Sequence, residues 1–251
     1  PLNDADIGDF TGKDLSYFPG DWSAEKCRSE LPDNAAGRHL RSTGEEFLDR
    51  NEDVVVSTTH MELKGLVKYL PESSPLSGPA TADIYRSLWQ NQLRPLPHLV
   101  RRARKFVGAN FSNHSVIAVH ARGSNKSDEA GSGLNSVTEY YYDILDLIRN
   151  NRDWRIFVLT ESEILLDLFK ERYGDQVLYT DIYRTSGDVG IHYHQDAGGR
   201  RLGEEVLVDT LIALEADRFV GNGLSNVSCA IDVFKNWKSM ESGLIVANHW
   251  I

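Results

Sequence analysis

Cysteine is nearly absent: only Cys27 and Cys229 occur in 251 residues. A disulfide-stapled scaffold is thereby excluded, and two separate buried thiols fit the count more simply than one bridge. Reduced thiols point to a cytoplasmic setting, with the Golgi lumen as the alternative. No apolar run approaches the roughly 18 residues that a membrane span needs, and no secretory leader is visible at Pro1. Positive charge is also in deficit, with 27 Lys and Arg against 37 Asp and Glu and a net charge of -10. Duplex nucleic-acid binders carry a basic surface, so that partner class is disfavoured. One local basic patch still suffices to hold a phosphate. There is no GxxxxGK(S/T), so a P-loop ATPase is unsupported. The missing GxGxxG weakens a dinucleotide oxidoreductase, and the missing GxSxG weakens a hydrolase. Internal repeats and low-complexity tracts are lacking. Sequons occur at Asn110, Asn113 and Asn226; the last sits at an apparent helix start and reads as chance.

What is present changes character along the chain. Residues 1–50 are polar and aperiodic, with Tyr17, Phe18 and Trp22 as material for a small satellite cluster. The run DVVVST (53–58) predicts a strand, and 61–70 a helix that ends before Pro71. PESSPLSGP (71–79) reads as a loop. Residues 80–93 predict a helix with Ile84, Leu88 and Leu93 facing inward. Pro95 and Pro97 are expected to break it, with a restart over 99–106. The basic face of that second helix (Arg101, Arg102, Arg104, Lys105) reads as solvated.

From Ser115 onward strands and helices alternate. Strands are expected at 116–119, 155–159, 176–179, 217–220 and 244–247. Helices are expected at 137–148, 162–173, 203–216 and 225–234. Continuous apolar strands between helices imply a mainly parallel sheet covered on both faces. The expected organisation is therefore a smaller, irregular N-terminal region over 1–110 and a Rossmann-like α/β domain over 111–251.

Ligands of open α/β sheets gather beyond the C-terminal strand ends, and polar clusters fall at those places. The first is His120-Ala121-Arg122-Gly123-Ser124-Asn125-Lys126. Arg122 can grip a diphosphate through two parallel hydrogen bonds, which lysine cannot do. Lys126 adds a second charge, and Gly123 permits close backbone approach. The second is Thr160-Glu161-Ser162. Glu161 can accept hydrogen bonds from a base or ribose, while Thr160 is expected to cap the next helix with Glu163 as its capping-box partner. The third is Gly221-Asn222-Gly223-Leu224-Ser225-Asn226, a strand-to-helix turn whose amides and Ser225 hydroxyl suit an anion, or in which Ser225 serves only as the N-cap. Asp209, one turn beyond Glu205, would ordinarily be a surface carboxylate. His192, His194 and Asp196 lie in a polar segment, 187–201, together with Arg200 and Arg201. No third ligand is compelling there, so no metal site is expected.

These clusters carry a resemblance. The segment from Ile84 to Trp237 resembles the α1,6-fucosyltransferases and, more distantly, the protein O-fucosyltransferases. LRPLPHL (93–99) is similar to the arginine-proline stretch before the catalytic domain. VIAVHARGSNK (116–126) is similar to the His-x-Arg motif, FVLTESEILLDLFKERYGDQVLYTD (157–181) to the next strand-helix-strand unit, and LGEEVLVDTLIALEADRFVGNGLSNVSCA (202–230) to the C-terminal signature. The resemblance implies a GT-B-like fold and donor contacts from His120, Arg122, Lys126, Tyr140, Glu161, Asp209, Ser225 and Asn226. Gly123 replaces the second arginine of the family pair, Asn125 an aspartate, and Ser162 the second residue of an acidic pair. The family glutamate associated with the chemistry falls near Ala130 or Gly131, which leaves Glu129 as the nearby carboxylate.

The function implied is inverting transfer of fucose from GDP-fucose to a glycan hydroxyl, with no cofactor and no metal. Arg122 and Lys126 would stabilise the leaving diphosphate, with Glu129 as general base. The partners are then a nucleotide sugar and a glycan acceptor. Three other readings are carried beside it: the same fold with another GDP- or UDP-sugar, a non-catalytic module that binds nucleotide or glycan, and a purely structural domain that binds no nucleotide.

Overall fold

The computed structural model describes residues 63–122, 141–186 and 199–244, with 143, 240 and the side chain of Leu66 aside. The expected strand at 53–58, the segment 1–50 and Cys27 lie outside the described residues. Described residues up to Ile84 belong to one compact unit, and those from Tyr85 to a second.

In the first unit, a short helix α1 (Leu63–Val67) is followed by turns. The proline-rich stretch closes on itself: Ser74 N–H donates to the Pro71 carbonyl at 2.8 Å, and the Ser77 hydroxyl to the Glu72 carbonyl at 3.0 Å. Helix α2 (Thr81–Asn91) runs across the boundary between the units. Ile84 is buried as expected. Leu88 and Leu93, expected inward, are 36% and 53% exposed. Helical spacing identifies a stripe, but burial needs a neighbour over each position: Trp89, beside Leu88, stacks on Phe234 with ring centroids 4.4 Å apart, and Leu88 is left exposed.

The second unit opens with α3 (Pro97–Asn110). Pro97 was expected as a breaker, yet it stands in the helix's first turn. The missing N–H costs nothing at that position, because first-turn donors lack intrahelical partners in any case. The helix therefore starts two residues earlier than expected and runs to Asn110. Arg101, Arg102, Arg104 and Lys105 are exposed, as a solvated face requires.

Five parallel strands follow: β1 (Ser115–His120), β2 (Trp154–Leu159), β3 (Val177–Leu178), β4 (Arg218–Gly221) and β5 (Ser242–Leu244), in the order β3-β2-β1-β4-β5. β1 is the central strand and pairs along its length with β2, Ser115 opposite Trp154 and His120 opposite Leu159. Alternate residues point to opposite faces, and both faces are covered. Val116 and Ala118 join Phe157, Phe219 and Leu99 on one side, with Val208 and Ile212. Ile117 and Val119 join Ile156, Val158, Tyr141 and Phe169 on the other. Each fully buried aliphatic or aromatic side chain contributes about 1.5–3 kcal/mol, so these two layers hold the sheet.

Helix α4 (Glu163–Tyr173) has Ser162 as its N-cap, which accepts the Leu165 N–H at 3.2 Å. The expected cap, Thr160, instead accepts the Ser162 N–H. A cap stands immediately before the first helical residue, and the helix begins at Glu163, which puts Ser162 and not Thr160 at that position. Gly174 ends the helix at φ +56°, a conformation that favours glycine. Helix α5 (Gly199–Ala213) begins four residues before its expected start, and α6 (Asn226–Phe234) follows β4. Asp217 clasps the start of β1: its N–H donates to the Val116 carbonyl at 2.9 Å, and its carboxylate accepts the Val116 N–H at 2.8 Å.

Candidate functional site

The C-terminal end of β1 is polar but dry. His120 is buried, and its Nδ1 lies 2.7 Å from the Ser228 hydroxyl on α6. The same hydroxyl accepts the Asn222 N–H at 3.1 Å. The Tyr141 hydroxyl donates to the His120 carbonyl at 2.8 Å, and the Ala121 N–H to the Leu159 carbonyl at 2.9 Å, so both sides of the strand end are fixed. Burial, with the Arg122 charge adding to it, pushes the His120 imidazole down to about 3. It is therefore neutral throughout the physiological range. Arg122 is half-buried and stands two residues beyond.

Gly221 makes this approach possible. A Cβ there would stand 2.6 Å from the Ser228 Oγ and 2.7 Å from the Phe219 ring. The strand end thus has room for a hydrogen but not for a methyl group. Asn222 then turns the chain: its side-chain oxygen accepts the Leu224 N–H at 2.9 Å and its carbonyl the Ser225 N–H at 2.9 Å. Ser225 stands at the N-cap position of α6 but makes no side-chain capping bond. Its side chain is buried, so a role as cap alone does not describe it. Asn226 is the exposed first residue of the helix. Cys229 is a buried thiol that donates to the Gly223 carbonyl.

A second polar cluster sits beyond β2 and β3. Asp209 is buried on α5, not on the surface, and its carboxyl accepts the Thr180 hydroxyl at 2.6 Å. Burial pushes it up to about 7, against the Thr180 hydrogen bond and the Arg184 charge that pull it down. Glu205 and Arg102 also act on it through space, the first raising and the second lowering. Arg184 donates to the Thr180 carbonyl at 2.8 Å and the Thr160 carbonyl at 3.2 Å. Glu205, buried one turn before Asp209, accepts the Tyr183 N–H at 3.0 Å and the Arg201 guanidinium at 2.7 Å. Glu161 is half-buried at the end of β2. Its carbonyl accepts the Thr185 N–H at 2.9 Å, and the Thr185 carbonyl accepts the Glu163 N–H at 2.9 Å.

The candidates from the sequence therefore divide. His120 and Arg122 stand together, with Asn222 and Ser228 completing the group. Asp209 joins Thr180, Arg184 and Glu205; among the described residues no hydrogen bond or ion pair links it to His120, Arg122 or Ser225. Lys126, Glu129 and Tyr140 lie outside the described residues, as do Gly123, Asn125, His192, His194 and Asp196. Ser228, Thr180 and Arg184 were not found from the sequence. Ser228 is a helix-interior serine among apolar neighbours and carries no local signal. Asp209 had one: with Glu205 and Ala213 it shares an i, i+4 stripe with buried residues.

No family model matches the sequence and no curated protein matches it. Solved structures do. A structure of NodZ alpha-1,6-fucosyltransferase co-crystallised with GDP superposes with a TM-score of 0.54 at 16% identity, over 87% of this chain and 65% of that one. A second, soaked with GDP-fucose, gives 0.50 at 16% identity, over 88% and 66%. The chain thus spans just under two thirds of the length of those proteins. The likeness shows the fold: a GT-B-like architecture with a Rossmann-like parallel sheet. Among the described residues no helix is long and apolar enough to cross a membrane.

Proposed function

We propose that the protein is a glycosyltransferase that moves fucose from GDP-fucose to a glycan hydroxyl with inversion at the transferred carbon, in the cytoplasm. The observation that carries this reading is Arg122. A guanidinium stands immediately beyond the buried end of the central strand, beside a neutral imidazole, in a sheet of the fold shared with a fucosyltransferase crystallised with GDP. In parallel sheets this end is where nucleotides collect.

The chemistry follows from charge. The acceptor oxygen attacks the sugar's anomeric carbon from the face opposite the diphosphate. The C–O bond to the diphosphate breaks, GDP leaves with the bonding pair, and the acceptor proton passes to a base. Arg122 meets the charge growing on the diphosphate. Lys126 is assigned a second positive charge there and Glu129 the role of base. With Lys126 in that role, two cations would supply what a divalent metal otherwise supplies, so the reaction is proposed to need none.

A panel of GDP, UDP, GDP-fucose, GDP-mannose and UDP-sugars, followed by thermal shift with and without divalent metal, tests the donor. GDP and GDP-fucose are expected to stabilise the chain, and UDP-sugars not. Absence of any stabilisation by GDP at millimolar concentration overturns the reading. GDP binding without product on an acceptor panel replaces it with a nucleotide-binding module.

A further inference from the structure

The hydrogen bonds around His120 fix which of its ring nitrogens carries the proton. The Ser228 hydroxyl has one hydrogen. Its oxygen already accepts the Asn222 N–H at 3.1 Å, and the only acceptor beside it among the described residues is His120 Nδ1, at 2.7 Å. The oxygen has a second lone pair and could also accept from a protonated Nδ1, but the hydroxyl hydrogen would then have no acceptor among the described residues, so donation to Nδ1 satisfies both groups. His120 Nδ1 is then the acceptor, and the single proton of the neutral ring sits on Nε2. Among the described residues Nε2 has no hydrogen-bond acceptor.

We propose that Ser228 is a positioning residue that holds His120 as a fixed Nε2–H donor, aimed at an anionic oxygen of the nucleotide sugar bound beside Arg122. The tautomer follows from the geometry alone; its use on the donor rests on the function proposed above. Three elements cooperate in it. Gly221 leaves the space that Ser228 occupies, as the 2.6 Å approach to a hypothetical Cβ shows. Asn222 supplies the amide that orients the hydroxyl. Tyr141 anchors the His120 backbone through its carbonyl. The ring stays neutral beside Arg122, so it donates one hydrogen bond without adding a second buried charge. A neutral donor preset in this way reorganises little when the ligand arrives.

The test is nitrogen-15 spectroscopy of the full chain labelled at histidine, with the His120 signals assigned by their loss in His120→Gln. Between pH 6 and 8 the expected pattern is a neutral ring with Nδ1 unprotonated and the proton on Nε2. Addition of GDP is expected to shift the Nε2 resonance. Ser228→Ala is expected to scramble the tautomers and weaken GDP binding about tenfold, the range of one hydrogen bond to a charged oxygen. A proton on Nδ1, or an imidazolium at pH 6, in the unmutated protein overturns the proposal and needs no variant to fold. An Nε2 resonance that GDP leaves unmoved, in a protein that binds GDP through Arg122, overturns the donor contact. If the tautomer stands but no nucleotide binds, the proposed function fails and the donor contact fails with it, while the Ser228–His120 geometry is upheld.

Discussion

Two polar clusters lie at the same end of one sheet and are built on opposite plans. Beyond β1 and β4 the described residues offer mostly neutral groups: one imidazole, one serine and one asparagine turn, with the Arg122 guanidinium at the edge. Beyond β2 and β3 they are charged and numerous, and they satisfy one another. Arg184 reaches the Thr160 and Thr180 carbonyls, Asp209 holds Thr180, and Glu205 holds Tyr183 and Arg201. On the function proposed above, the first cluster faces a ligand, and the internal bonds of the second fit a strut. A group whose hydrogen-bonding capacity is met inside the protein gains little by meeting a substrate. The second cluster ties the 180–185 segment to β2 and α5, and so supports the wall in which Glu161 stands.

The contrast makes stability and binding separable. Arg184→Ala should be the most damaging change to folding, about 3 kcal/mol, because the part-buried Thr160, Thr180 and Ile182 carbonyls lose their donor and Asp209 loses a cation. Urea unfolding measures it; a loss under 1 kcal/mol would mean that the second cluster is not a strut. Gly221→Ala should cost about 2 kcal/mol, as overpacking does, and should also weaken GDP binding, because Ser228 must withdraw from His120. Retention of both stability and affinity would show that the close approach at Gly221 is dispensable. Arg122→Ala should behave in the reverse sense, with the melting temperature held and GDP affinity reduced about 30-fold, or about 2 kcal/mol. Isothermal calorimetry with unchanged affinity would remove Arg122 from the site.

A further effect concerns pH and accumulates gradually over several pH units. Asp209 ionises at about 7 in the folded chain, against an ordinary carboxylate value when unfolded. Between pH 4 and 7 the unfolded carboxyl has lost its proton and the folded one retains it. Stability therefore falls as pH rises through that window, by at most about 1.4 kcal/mol per pH unit, and levels off above it. Asp209→Asn should flatten this slope in unfolding measured at pH 5 and 8. An identical slope in wild type and variant would place the titration elsewhere.

The parallel sheet was legible because VIAV (116–119) and IFVL (156–159) are unbroken apolar runs that suit a strand covered on both faces. Pro97 was misread because a proline's local restriction is the same in a breaker and in a first turn, and only the hydrogen bonds around it distinguish them. Arg122 could be located from its place after a strand. Ser228 could not, since its partner lies 108 residues away and nothing in its own helix marks it. Thr180 and Arg184 fall in irregular backbone, where no period exists to be read. Asp209 was found through resemblance and assigned to the donor; its immediate neighbours give it a structural task that spacing on α5 alone, had Glu205 and Ala213 been weighed, would have suggested.

The central strand also imposes an order on synthesis. β1 pairs with β2 a few tens of residues later, but Ile117 waits for Arg218 on its other edge, and Val116 for the clasp of Asp217, 101 residues downstream. A nascent chain therefore carries an open strand edge through the 101-residue interval that separates Val116 from Asp217, a template for wrong pairing until β4 emerges. Any truncation before residue 218 leaves that edge permanently unpaired, and such pieces are expected to aggregate rather than to fold as smaller versions of the sheet.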